Sequence, residues 1–194
     1  MTSQSRKQNN KSGQRTSLFF MALLPPQSLQ DQITEIKLEL KENFGCKQAL
    51  KSPPHITVFP PFKWDVSQVD AFDGLAEFCQ GQQTFDISLD GFGSFPPRVI
   101  YVHPIKSEPL VQFHHSLQDY LSQTLELVDP MVAKRGFTPH MTVANRDLKR
   151  DRFDDAWAQY QTRSLQTTFE VTALTLLKHN GQRWQICKQW PLGC

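Results

Sequence analysis

The chain has 194 residues, 39% hydrophobic and 21% charged, with a formal net charge of +2, a composition ordinary for one substantial globular domain or two small lobes around a cleft. Arg6, Lys7, Lys11 and Arg15 all lie in an acid-free stretch of fifteen residues, leaving the rest of the chain at −2. The body is therefore not a broad basic binder of long nucleic acid, and a small or terminal phosphate suits it better.

Residues 1–15 are polar and lack an apolar stripe, which predicts a disordered basic tail. The run Leu18–Leu24 resembles a secretory core, but it is short and Pro25-Pro26 follow without a cleavage pattern, so it reads as a buried strand over 17–24. A helix is expected over 28–43, with Ser28 as N-cap and Gly45 as terminator. A strand over 55–59 should stop at Pro60-Pro61, and a helix over 67–80 follows. Phe85–Leu89 alternates as a half-buried strand, broken by Gly91 and Gly93, and 99–102 is another strand. A helix over 108–127, a loop to Thr138, a strand over 140–144 and a helix over 149–161 continue the series. Strands over 168–178 and 183–189 flank Asn180-Gly181, a strong hairpin signal. No segment is long enough to span a membrane. Cys46, Cys79, Cys187 and Cys194 show no CxxC pair and no zinc spacing, so they read as reduced thiols of a cytoplasmic protein.

The chemistry concentrates in an echo. Pro54-His55-Ile56-Thr57-Val58 recurs as Pro139-His140-Met141-Thr142-Val143. In a strand, alternate side chains share a face, so each His lies beside its Thr while the apolar residues point the other way. Two histidines can supply a general base and a general acid. On a cyclic phosphodiester, one imidazole takes the proton of the attacking water and the other protonates the departing ribose oxygen. In the reverse direction the roles exchange. The Thr57 and Thr142 hydroxyls can donate to the non-bridging phosphate oxygens, and no metal or other cofactor is required. A lone histidine at a strand end is usually a satisfied structural residue; the duplicated context argues for the active pair. His103, His114, His115 and His179 lie on scattered elements and do not suggest a metal site. Phe59, Trp64 and Phe137 flank the motifs and could stack a base, with core packing as the alternative.

These two H-x-T-x motifs, 85 residues apart, resemble those of the 2H phosphoesterases, in particular the bacterial 2′-5′ RNA ligase or cyclic phosphodiesterase branch. The resemblance covers nearly all of 17–190. It implies an α+β fold with two pseudo-symmetric lobes, whose antiparallel sheets form a V-shaped groove with helices outside, within one bilobal domain over 16–194. It also implies opening of 2′,3′-cyclic phosphates to 2′-phosphates, with 2′-5′ ligation as a related activity. Arg146 resembles a basic phosphate-binding residue that some members carry after the second motif. The partners implied are RNA ends, short oligonucleotides or cyclic nucleotides, with no membrane and a monomeric chain. Two other readings stand beside it: a nucleotide- or RNA-end-binding module with little turnover, and an interaction domain using the basic tail.

Overall fold

The computed structural model describes residues 16–193, so the expected tail and Cys194 lie outside the described residues. The apolar run forms strand β1 (Thr16–Leu23). Its alternation sorts two buried faces: Phe19, Met21 and Leu23 enter the main core, while Phe20 and Ala22 form a smaller cluster with Leu177. Helix α1 (Gln27–Phe44) begins before Ser28, with Pro26 at the cap position and no side-chain cap. Its first N–H groups instead reach the Pro26 carbonyl, from Leu29 and Gln30, both at 3.0 Å. Gly45 ends it at φ +75°, the left-handed cap expected of glycine.

A 3-10 turn at Gln48–Lys51 leads into β2 (Ile56–Asp65). This strand does not stop at Pro60-Pro61. It is an edge strand, so only one side of its backbone needs donors, and its pairing jumps from Phe19↔Phe62 to Met21↔Phe59, absorbing the prolines in a bulge. The helix expected over 67–80 is a 3-10 stretch, Val66–Gly74, kinked at Gln68, followed by a short α2 (Leu75–Gln80); Gly74 disfavours one continuous helix. Strand β3 (Phe85–Phe95) continues through both glycines. Gly91, at φ +62°, sits in a bulge between Leu89↔Pro104 and Phe92↔Val102. Gly93 pairs with Tyr101, and any Cβ there would overlap the Tyr101 ring. The remaining elements are β4 (Val99–Pro104), α3 (Glu108–Leu125), a single turn α4 (Val132–Arg135), β5 (Met141–Ala144), α5 (Arg150–Tyr160), β6 (Gln166–Val171), β7 (Ala173–His179) and β8 (Trp184–Pro191).

The strand expected over 168–178 is two strands in different sheets, because the chain crosses between lobes at Thr172. Both sheets are antiparallel and four-stranded, ordered β2-β1-β7-β8 and β5-β4-β3-β6. The units β1–α1–β2 and β4–α3–β5 occupy matching places, each with its motif strand at a sheet edge. The result is an α+β fold of two pseudo-symmetric lobes around a V-shaped groove. The lobes are not the two halves of the sequence, since the first sheet is completed by β7 and β8. Support crosses between lobes as well. Helix α1 packs on β5, and Gln118 of α3 donates to the Val58 carbonyl of β2 at 2.9 Å. Strands β2 and β5 themselves touch. No described helix is long and apolar enough to cross a membrane.

Candidate active site

Each motif histidine stands one residue before its strand, His55 before β2 and His140 before β5. Each folds back on its own backbone in the same way. His55 Nδ1 lies 2.6 Å from the Pro53 carbonyl and His140 Nδ1 lies 2.9 Å from the Thr138 carbonyl. A carbonyl only accepts, so Nδ1 carries the hydrogen and Nε2 is the basic nitrogen of each neutral ring. The intervening Pro54 and Pro139 are buried, which holds both loops against the fold. Phe20 packs against His55 at 4.8 Å between ring centroids. His140 meets Phe95 and Tyr101 edge-on, at 5.3 and 5.8 Å.

The strands then aim the threonines as alternation requires. Ile56 and Val58, and Met141 and Val143, are buried in the core. His55, Thr57, His140, Thr142 and Arg146 all line one cavity of about 600 Å³. Among the described residues no intramolecular hydrogen bond occupies the Thr57 or Thr142 hydroxyl. Arg146 reaches the cavity from a backbone at φ +36°, a left-handed turn just past β5. Neighbouring Asn145 also lines it, and its Oδ1 is buried without a partner. Among the described residues no acidic side chain lines the cavity.

Burial pushes the His55 pKa down to about 4, against the opposing pull of the Pro53 carbonyl, and the charges of Lys37 and His140 depress it further. His55 is therefore neutral at pH 7. Lys37 is itself 2% exposed, with Nζ donating to the Ser52 carbonyl at 3.1 Å. Burial lowers it to about 8. The segments on the far side of each motif are tied together by Asp147, whose Oδ2 accepts from the backbone N–H groups of Lys47 and Gln48 at 2.5 and 2.9 Å.

The aromatic candidates fall elsewhere. Phe59 is 2% exposed in the core. Trp64 packs on Phe72 at 5.0 Å and donates Nε1–H to the Gln68 carbonyl. Phe137 stacks on buried His114, with centroids 3.9 Å apart. None of the three lines the cavity; hydrophobic packing claims them instead. The aromatic wall is made by Phe20 and Trp184, whose rings meet at 4.6 Å, with His179 against Trp184. These residues escaped the sequence reading because β1 and β7 must pair before Phe20 and the β7–β8 hairpin share a face. Lys37 did leave a signal: it sits at helical spacing among Ile33, Ile36 and Leu40, inside the apolar stripe.

No group of three or more His, Cys, Asp or Glu among the described residues could hold a metal. Cys46, Cys79 and Cys187 are free thiols. Burial raises Cys46 to about 11 and Cys79 to about 12, which makes them unreactive.

The family model described as the 2′-5′ RNA ligase superfamily matches residues 25–183. No curated protein matches the chain by sequence. Among solved structures, TT0787 of Thermus thermophilus superposes with a TM-score of 0.63 at 18% identity, over 90% of this chain and 97% of that one. Escherichia coli LigT in its apo form gives 0.63 at 18% identity, over 93% and 99%. LigT complexed with 3′-AMP gives 0.60 at 19% identity, over 91% and 98%. These likenesses establish the fold.

Proposed function

The chain belongs to the 2′-5′ RNA ligase superfamily, and on that premise we propose that it is a metal-independent phosphodiesterase that opens 2′,3′-cyclic phosphates of RNA ends or nucleotides to 2′-phosphates. The observation that carries this reading is the pair of histidines in one acid-free cavity, each with Nδ1 engaged by a backbone carbonyl and Nε2 left for chemistry.

The free protein presents His55 neutral, so it enters hydrolysis as the base. Its Nε2 takes a proton from water as the water oxygen bonds to phosphorus. The P–O3′ bond breaks, and protonated His140 gives its Nε2 proton to the departing O3′. Thr57, Thr142 and Arg146 donate to the non-bridging oxygens as charge builds there. A 5′-hydroxyl in place of water would give a 2′-5′ linkage by the same transfers.

His55→Ala and His140→Ala should each lower kcat on a 2′,3′-cyclic nucleotide by about 10²–10⁴-fold, with the double variant little worse than either single one. Near-normal turnover by both folded single variants would overturn the assignment. Activity should persist in excess EDTA; a loss restored by a divalent metal would count against the scheme. The acid limb of kcat/KM should follow the free protein's His55, falling near pH 4 rather than at the ordinary 6.5.

A nucleotide-binding module with little turnover is the second reading. It draws on LigT having been crystallised with ATP, 3′-AMP and NADP+. Saturable nucleotide binding with no product across a panel of cyclic phosphates would favour it.

A further inference from the structure

Beside the two-histidine cavity lies a smaller pocket of about 280 Å³, lined by Lys37, Lys51 and Arg183 together with Thr34, Ser52 and Trp184. Lys51, Ser52 and Trp184 line both spaces, so the two adjoin along a common wall. We propose that this pocket is a second phosphate subsite, which takes the 5′ phosphate of the nucleotide whose 2′,3′-cyclic phosphate lies between His55 and His140. The inference rests on the phosphodiesterase reading and deepens it: the preferred substrate is an RNA end or a 5′-phosphorylated nucleotide, not a bare nucleoside cyclic phosphate.

Four observations support it. Among the described residues the pocket collects three cations and no acidic side chain, in a chain whose residues beyond the first fifteen carry −2 overall; such a local excess attracts anions. None of the four ion pairs among the described residues uses Lys37, Lys51 or Arg183. Lys37 is 2% exposed and faces the pocket, yet only one of its three donors is engaged, by the Ser52 carbonyl. A buried ammonium with open donors is costly until an acceptor arrives. The hairpin fixes the backbone at Arg183. Asn180 Oδ1 accepts from the N–H groups of Gln182 and Arg183 at 3.0 and 2.9 Å, and Asn180 N–H donates to the Arg183 carbonyl at 3.0 Å. A ribose carries its 3′ and 5′ oxygens on opposite sides, so one nucleotide laid along Trp184 presents a phosphate to each space. The pocket on the other flank is a poorer fit. It holds Arg98 and other cations, but Asp147 and Asp151 line it too, and it shares Arg146 alone with the central cavity.

The test compares three substrates: adenosine 2′,3′-cyclic phosphate, the same compound with a 5′ monophosphate, and a diadenosine dinucleotide ending in the cyclic phosphate. The protein should prefer the second and third by about tenfold or more in kcat/KM, mostly through KM, as expected for charge-assisted hydrogen bonds to one phosphate. Arg183→Ala should shrink that preference to within about threefold. Arg98→Ala should retain it. Preference for the monophosphate alone would identify a nucleotide substrate, and preference for both would identify an RNA end; either supports the subsite. Equal turnover of all three substrates, or loss of preference in Arg98→Ala but not in Arg183→Ala, would overturn the subsite and leave the phosphodiesterase standing. No turnover of any substrate would overturn both.

Discussion

At the scale of the residue, burial keeps two imidazoles neutral, His55 in the cavity and His114 stacked on Phe137 outside it. Burial holds His55 at about 4, and it holds His114 at about 4 as well, with the neighbouring His115 charge adding to the effect. A folded pKa below the unfolded 6.5 means that the unfolded chain binds more protons between those values. Stability is therefore lost as pH falls from about 6.5 to 4, by on the order of 2 kcal/mol for each ring. Denaturant titration at pH 7 and pH 4.5 should show this loss, and His114→Phe should reduce it. An unchanged slope with pH in that variant would contradict the account. Lys37 acts at the other end of the scale. Its folded pKa of about 8 lies below 10.5, so its contribution makes the fold more stable as pH rises through that window. Residues of this kind differ in how well the sequence announces them. The face shared by His55 and Thr57, or by His140 and Thr142, follows from a two-residue period and needs no tertiary knowledge. The neutral state of His55 depends on its burial, with Phe20 against the ring, and on the nearby charge of Lys37, which no local pattern contains.

At the scale of the element, the histidine strands rely on their neighbours' irregularities. Gly93 reads in the sequence as a strand breaker, but its function is spatial: it makes room for the Tyr101 ring, which in turn backs His140. Gly93→Ala should destabilise the fold by about 1–3 kcal/mol through overpacking, and it should lower turnover by shifting Tyr101 off His140. Adding Tyr101→Leu should recover stability without recovering activity; thermal melts and steady-state rates separate the two. The prolines of β2 teach the same lesson. Pro60-Pro61 signal an end in isolation, yet an edge position and a bulge let the strand continue. Periodicity located nearly every element, whereas breaks were misplaced wherever sheet pairing tolerated a glycine or proline.

At the scale of the molecule, catalysis as proposed needs two lobes held in register. The Asp147 carboxylate does this directly, crossing from the loop after β5 to the N–H groups that open the turn before β2. Asp147→Ala leaves those donors to water and should cost about 1–2 kcal/mol of stability. The larger effect should be on kcat, measured well below the melting temperature, because the contact joins the segment that leads to His55 to the segment that follows His140. A variant with normal kcat would show that the lobes hold register without it. Pseudo-symmetry of the two units was legible from the repeated motif. The way they interlock was not, since α1 supports β5 and α3 reaches β2 through contacts between residues far apart in sequence.

The crossing at Thr172 also has a consequence in time. Synthesis proceeds from the N-terminus, and domains begin to fold as they emerge. A nascent chain grown to residue 171 already contains all four strands of β5-β4-β3-β6 and both histidine motifs. It still lacks β7 and β8, and with them the inner neighbour of β1, the Trp184 wall and Arg183. Until those strands emerge, the Phe20 and Ala22 face of β1 lacks Leu177 and Trp184, and the β1–α1–β2 unit holds only two of the four strands of its sheet, a pairing that is marginal on its own. A refolded chain truncated after Val171 should therefore be protected from proteolysis over 85–171 but cleaved within 16–65, and a chain extended through Pro191 should resist cleavage in both segments.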